Sequence, residues 1–335
     1  MSQRKISVGI IGMGQMGMLH GGIVNMLPES YLAAICESNS RISMLGAKVI
    51  PGVKFYNDYL KMIEKESLDA VIVCTPALSH AKIASKIIEQ GVVKGIFVEK
   101  PLATSFEEAS ALTAKAKGMV TMVGFQKRFC GTFVRAKELL KKDVIGKPRF
   151  FRSHFYTSEN VQPGVGWKFE VGGGGVLLEF APHLLDILNW YFGDPLVTQA
   201  LKASFREGGG LPDYIHASIT YNGGLVGYAD ICWGMRNYRP GEMAVEIHGD
   251  RGTISVNDSR ILLYLDKDSE DFRAGIHSFP VASLNPSVPF LLAYPENVLI
   301  DRSFVLAVRT SRPTEPAFLA GMAVNRLIDQ LEGRM

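Results

Sequence analysis

Clustered cysteines are missing from this sequence. Only four occur in 335 residues, Cys36, Cys74, Cys130 and Cys232, and they stand far apart. None forms a C-x-x-C, so the signature of a zinc or dithiol redox site is absent and no metal is expected. Cys36 and Cys74 fall near the ends of apolar runs, where a free thiol acts as a small hydrophobe. A reduced, cytoplasmic location is the simplest expectation. An excess of one charge sign is also missing. The formal net charge is +3, from 36 basic and 33 acidic residues. That is too weak to argue for nucleic acid or a membrane surface. No basic stripe with interleaved aromatics occurs. No uninterrupted apolar run is long enough to span a bilayer. The opening MSQRKISVGIIGMG reaches glycine too soon for a signal-peptide core. Internal repeats and low-complexity tracts are absent as well.

What is present is a two-part pattern in a chain long enough for two domains. Continuous apolar runs occupy residues 6–11, 31–36, 52–56, 69–74, 95–99 and 120–125. Helical patterns fall between them, near 15–26, 41–48, 57–65, 79–90 and 105–117. Continuous rather than alternating runs mark strands buried on both faces, and alternation with helices gives a doubly wound parallel sheet. TSFE predicts a capping box in which Thr104 caps the next helix and Glu107 reaches back. Gly91 stands where a helix should stop.

The pattern changes after residue 126. A basic amphipathic segment, GTFVRAKELLKKDVIGKP, leads into seven longer runs: RFFRSHFYT, TQALKASF, YIHASITY, LVGYADICW, MAVEIHG, GTISVND and RILLYLD. Their alternation predicts a second α/β domain built on an open, mostly antiparallel sheet. Residues 304–332 read as helical with a break near Pro313 and Pro316. The expected division is 1–126, a Rossmann dinucleotide-binding domain, and 127–335, for substrate binding and oligomerisation.

GIIGMGQMG sets Gly12, Gly14 and Gly17 in G-x-G-x-x-G, between the first strand and a helix. The first glycine permits a tight turn, the second lets amides approach a pyrophosphate, and the third allows close helix–strand packing. Glu37, twenty residues past Gly17 at the end of the second strand, can accept from both ribose hydroxyls and would repel a 2′-phosphate. NAD is therefore favoured, and Arg41 leaves NADP open. Thr75 and Pro76 follow the fourth strand at the carboxyl edge, as a cofactor contact or a plain turn. His80 is an expected cofactor contact in the same region and reads as a surface or capping histidine, not a catalyst. Gln15, Met16, Glu99, Lys100 and Gln126 complete the expected cofactor contacts, with a structural partner expected for Glu99.

With the fingerprint, VEKPLA and GGGVLLEFAPHLLDIL in view, the chain resembles the Gfo/Idh/MocA oxidoreductases over nearly its whole length. GMGQMGMLH, GFQKRF, VIGKP and EIHGDRGTISV add to the likeness. The resemblance implies an N-terminal Rossmann domain and a C-terminal domain whose open sheet commonly makes a dimer interface, giving a homodimer or homotetramer. It implies that Lys100 of E-K-P and His183 carry the chemistry. Glu179 stands where the family commonly has aspartate, so the carboxylate is kept with a different reach. Trp167 and Lys168 lie near a family W-R position, with lysine for arginine.

The residues themselves suit hydride transfer at a secondary alcohol. His183 can take the hydroxyl proton. Lys100 can stabilise the developing alkoxide, and Glu179 can orient His183. Pro182 is tolerated only in a first helical turn, so a helix should begin near Phe180 or Ala181 with Glu179 at its threshold. A first-turn histidine feels the positive helix end, which suits a neutral base. Asp186 continues the same face, where it could pair with a surface lysine or arginine. Arg128 is a substrate contact or a structural ion pair. Tyr156, Trp167 and Tyr294 could line a sugar site, although isolated aromatics are more often core. The Lys100–Pro101 bond is a candidate cis peptide. The expectation is an NAD(P)-dependent dehydrogenase or reductase acting on a sugar, cyclitol or related polyol. The alternatives are NAD-dependent glycoside cleavage through transient oxidation, or a dinucleotide-sensing protein without turnover.

Overall fold

The computed structural model describes residues 4–159, 174–205, 211–286 and 295–335. The chain forms two compact units, Met1–Phe125 with Asn297–Asn325, and Gln126–Glu296 with Arg326–Met335.

In unit 1 the elements run β1 (Ile6–Ile11), α1 (Gln15–Met26), β2 (Ser30–Cys36), α2 (Ser40–Val49), β3 (Lys54–Tyr56) and α3 (Tyr59–Lys65). Then follow β4 (Ala70–Val73), α4 (His80–Gln90), β5 (Gly95–Val98), α5 (Phe106–Lys115) and β6 (Val120–Val123). The six strands are all parallel, in the order β3-β2-β1-β4-β5-β6. Every residue of β1, β4, β5 and β6 is buried, which is why these strands read as unbroken apolar runs. Strand order reverses between β1 and β4, and ligands bind such sheets outside the carboxyl ends at that point.

Helix starts are chemically explicit. The Asn39 side chain caps α2, and Asp58 caps α3. The cap of α5 falls one residue later than the sequence suggested. Ser105 Oγ accepts from Glu108 N–H at 3.2 Å, and Glu108 Oε2 takes both the Thr104 N–H and hydroxyl. Thr104 is thus the residue reached back to, and Glu108, not Glu107, does the reaching. Gly91 ends α4 at φ +63°, as its position implied.

Unit 2 contains α6 (Gly131–Lys141), β7 (Pro148–Tyr156), α7 (Gly175–Glu179), α8 (Ala181–Phe192), β8 (Val197–Ala203), β9 (Tyr214–Thr220) and β10 (Val226–Cys232). It continues with β11 (Glu242–Gly249), β12 (Gly252–Asn257), β13 (Arg260–Leu265) and β14 (Gly275–Pro280). The eight-stranded sheet has the order β14-β13-β12-β11-β7-β10-β9-β8. Among the described residues of this sheet, only the β7–β10 pairing is parallel. Inward residues such as Ile215, Ala229 and Val245 are buried while their neighbours along the strand are not, the expected alternation. β14 was not anticipated. Its sequence, GIHSFP, has no buried position, so an edge strand left little hydrophobic trace.

The chain ends in α9 (Pro295–Thr310) and α10 (Phe318–Glu332). The single boundary near residue 126 does not describe this arrangement, because 297–325 belong to unit 1. The reason lies at β5. Phe304 meets Phe97 edge-on at 5.7 Å, and a Cβ on Gly95 would lie 2.4 Å from Val308 Cγ2. The apolar face of β5 is thus covered by a helix far away in sequence. Aromatic contacts of this kind add about 0.5–1.5 kcal/mol beyond burial.

Candidate active site

Within unit 1, the loop after β1 is shaped for a dinucleotide. Gly12 has φ +95°, and a Cβ there would meet Cys74 O at 2.7 Å. A Cβ on Gly17 would lie 1.9 Å from Gly12 O, so helix and loop touch backbone to backbone. Gly14 caps α1 with no side-chain hydrogen bond, and the space beside its Cα is open. Amides at the start of α1, including those of Gln15 and Met16, therefore have room to face an anion. This cradle fits a pyrophosphate. At the end of β2, Glu37 accepts from Met13 N–H at 2.9 Å and Asn39 N–H at 2.8 Å. Its carboxylate is braced against the glycine turn, with further lone pairs free to accept ribose hydroxyls. Arg41 is exposed in the first turn of α2.

Thr75 and Pro76 form the turn after β4, where Ser79 Oγ donates to Pro76 O at 2.7 Å. His80 is not on the surface. It is buried, with Nδ1 2.7 Å from Pro101 O and Nε2 2.7 Å from Thr75 O. Burial lowers its pKa despite the two carbonyls. Its ring sits between the β4 turn and the E-K-P turn, and the neutral ring, with one N–H, donates to one of these two carbonyls.

Lys100 follows β5, half-buried, and its bond to Pro101 is cis. Glu99 is buried and its carboxylate has protein partners: Oε2 accepts the Lys100 N–H at 3.0 Å, and Oε1 lies 2.9 Å from His20 Nε2. Those bonds give Glu99 the structural partner expected of it. His20 Nδ1 is 2.8 Å from Asp301 Oδ1. Burial alone would lower the His20 pKa, but the charges and hydrogen bonds of Asp301 and Glu99 outweigh it and push it up to about 10. Burial also pushes Glu99 up, yet His20 and Lys100 hold its carboxyl below the usual range. His20 and Asp301 were missed in the sequence. The available signal was His20 three residues past Gly17, on the buried face of an apolar helix.

Within unit 2, α7 ends at Glu179 and α8 begins at Ala181, so Pro182 lies in the first turn as its ring requires. His183 is buried in that turn, with its ring 6.2 Å from that of Phe155. Glu179 is half-buried at the junction of the two helices. Asp186 does not face solvent. It is 1% exposed and takes a bidentate pair from Arg128 at 2.8 and 2.7 Å. Arg128 also sits 5.6 Å from the Trp190 ring, so its guanidinium is held between Asp186 and an aromatic face. Gln126 opens the same turn, and its Oε1 is buried without a hydrogen-bond partner among the described residues. The Tyr156 ring stacks on His154 at 4.5 Å. Trp167, Lys168 and Tyr294 lie outside the described residues. No group of three or more metal-binding side chains occurs among the described residues. No helix among them is long and apolar enough to cross a membrane.

Fold and loop together define a dinucleotide-binding protein of the α/β class. Residues 6–125 match the oxidoreductase family with an NAD-binding Rossmann fold, and residues 133–255 match the GFO/IDH/MocA C-terminal domain. The chain belongs to the Gfo/Idh/MocA oxidoreductase family. Among its relatives, scyllo-inositol 2-dehydrogenase (NAD(+)) of Bacillus subtilis is 26% identical, over 77% of this chain and 75% of that one. Levoglucosan dehydrogenase of Pseudarthrobacter phenanthrenivorans is 25% identical, over 98% of this chain and 95% of that one. A solved levoglucosan dehydrogenase in complex with NADH and L-sorbose shares the fold. It has a TM-score of 0.88 and 24% identity, covering 98% of this chain and 96% of that one.

Proposed function

We propose that the protein is an NAD-dependent dehydrogenase moving hydride between the nicotinamide and a secondary hydroxyl of a sugar, cyclitol or related polyol. One observation carries the reading. Lys100 projects from the carboxyl end of β5, in a turn whose Lys100 N–H is held by buried Glu99 and whose Pro101 carbonyl lies 2.7 Å from buried His80, within a unit that matches an NAD-binding family. Relatives named as inositol and levoglucosan dehydrogenases support the substrate class.

When bound, the nicotinamide supplies the hydride acceptor. Lys100 donates a hydrogen bond and positive charge to the substrate oxygen as alkoxide character develops. His183 accepts the hydroxyl proton at a ring nitrogen, and Glu179 orients it. Glu37 supports NAD over NADP by its carboxylate at the end of β2.

The reading includes a homodimer or homotetramer formed through the outward face of the unit 2 sheet. That face carries aromatic groups in succession: Phe150 lies 6.0 Å from Tyr228 and 5.8 Å from His248, and His216 lies 5.5 Å from Tyr228. Light scattering on the purified protein tests it, and a monomer at all concentrations would exclude it. The four cysteines are free, in keeping with a reducing cytoplasm.

The deciding assay follows absorbance of reduced cofactor with a panel of inositols, sugars and anhydrosugars, with NAD and with NADP. Steady NADH production is expected, and Lys100→Ala should lower it about a hundredfold or more. Glycoside cleavage without net NADH, or NADH binding without turnover, would overturn the reading. So would undiminished turnover in Lys100→Ala.

A further inference from the structure

Three ionisable groups are buried together beneath the Lys100 turn. His20 of α1, Glu99 after β5 and Asp301 of α9 are 1%, 6% and 0% exposed. His20 Nδ1 lies 2.8 and 2.9 Å from the two Asp301 oxygens, and Nε2 lies 2.9 Å from Glu99 Oε1. An ionised carboxylate only accepts, so a ring flanked by two of them donates from both nitrogens and carries a positive charge. Burying such a cluster costs several kcal/mol per ion, and apolar residues of similar volume often stabilise a fold as well or better. Cohesion alone is therefore a poor account of it.

The geometry points elsewhere. With Oε1 held by His20, the second Glu99 oxygen accepts the Lys100 N–H at 3.0 Å. Gly124 leaves room for this carboxylate, since a Cβ there would lie 2.6 Å from Oε1. Both Glu99 oxygens are thus engaged, and the Lys100 backbone N–H is held by one of them. The His80 ring packs against the next residue, its Nδ1 2.7 Å from Pro101 O. His20 also lies on α1, the helix that begins at the glycine loop, so cofactor helix and lysine turn are joined by one hydrogen-bonded chain.

We propose that His20 and Asp301 are positioning residues for Lys100: Asp301 orients the His20 ring, His20 locks Glu99, and Glu99 sets the direction in which the lysine leaves the strand. This rests on the reading that Lys100 acts at the substrate oxygen. The groups facing the cluster are Glu99 from the end of β5 and Asp301 from α9. Cys74, Lys100 and His80 lie within electrostatic reach of those carboxylates. The Phe97 ring packs on His20 at 5.1 Å.

The test uses the full chain with His20→Gln and the nearly isosteric Asp301→Asn. Each is measured for NADH affinity by fluorescence titration, for kcat and KM on a polyol the wild type oxidises, and for Lys100 acetylation relative to exposed lysines by peptide mapping. A misplacement on the order of 1 Å can cost about a hundredfold, so kcat should fall at least about tenfold in both variants. NADH affinity should stay within about twofold, since the hydrogen bonds that His20, Glu99 and Asp301 make here run to one another and to Lys100 N–H, not to residues 12–17. Unchanged kcat would overturn the proposal. So would a loss matched by equal loss of NADH affinity, which would place the role in the helix alone. If the wild type oxidises no polyol, the dehydrogenase reading fails by itself, and the labelling decides. A shifted Lys100 ratio in Asp301→Asn supports positioning, and an unshifted ratio sinks it.

Discussion

Glu37 Oε2 accepts the backbone N–H of Met13 at 2.9 Å, so the carboxylate that ends β2 also braces the glycine turn after β1. Its other oxygen holds the N–H of Asn39, the residue whose side chain caps α2. One side chain therefore fixes its own direction and the two backbone segments beside it. A rigid negative charge discriminates better than a mobile one, because a 2′-phosphate cannot push it aside.

Removing that charge should change which cofactor is used. In Glu37→Ala the repulsion is lost and Arg41, exposed nearby, is left to meet a phosphate. Hydrogen bonds to a charged group are each worth about 1.5–3 kcal/mol, so the NAD-to-NADP ratio of kcat/KM should fall roughly tenfold or more. The ratio is measured with one polyol and both cofactors. An equal ratio before and after would remove Glu37 from cofactor selection.

Gly17 and Gly14 should fail in different ways. In Gly17→Ala the new Cβ would lie 1.9 Å from Gly12 O, a backbone atom with nowhere to go. Helix and loop must separate, which costs about 1–3 kcal/mol and spoils the anion cradle. Both the melting midpoint and NADH affinity should drop. In Gly14→Ala nothing lies within 4 Å of the added methyl, so stability should hold while NADH affinity falls. Paired thermal melts and NADH titrations check this. A Gly17→Ala protein with native stability and affinity would contradict the close approach.

The Rossmann half was legible because its physics is local. Val8 and Ile10 are buried in β1, Ile96 and Phe97 in β5, and the apolar runs appear without reference to distant residues. The glycine spacing and Pro182 were equally readable, since each answers to the backbone beside it. What stayed hidden was set by partners far along the chain. Phe304 and Val308 show no sign in sequence that they cover β5, so 297–325 looked like part of the second domain. His80 looked like a surface residue because its polar neighbours are two carbonyls, and carbonyls leave no mark on a sequence. His20 and Asp301 are 281 positions apart, and only the fold makes them neighbours.

Breaking the Arg128–Asp186 pair should be costly, and breaking both ends less so. The guanidinium and carboxylate form two parallel hydrogen bonds, and the side chains are only 10% and 1% exposed. Loss of one partner strands a buried charge, at about 3–5 kcal/mol. Asp186→Leu should therefore destabilise strongly, while Arg128→Met with Asp186→Leu should recover much of the loss. Urea denaturation of the four proteins gives the coupling directly. If the double variant were as unstable as the sum of the singles, the pair would be a solvated contact and not a buried one.

The His20 cluster should leave a signature at alkaline pH. The folded-state pKa is raised from 6.5 to about 10, so folding favours the protonated ring. A raised pKa contributes its full stability below the unfolded value and loses it as pH climbs through the folded one. The window is therefore about pH 6.5 to 10. Below it, the advantage of wild type over His20→Gln should be constant until carboxylates begin to protonate. Asp301 meets that limit before Glu99 does, because burial raises its carboxyl above the usual range and His20 only partly offsets this. Across the window the wild type should lose stability relative to His20→Gln, which has no proton to release. Comparing the two proteins cancels titration of lysines, tyrosines and cysteines common to both. Melting midpoints from pH 6 to 10.5 measure the difference. A difference that stayed flat across that range would mean that the ring is neutral, with one flanking carboxyl holding the proton instead.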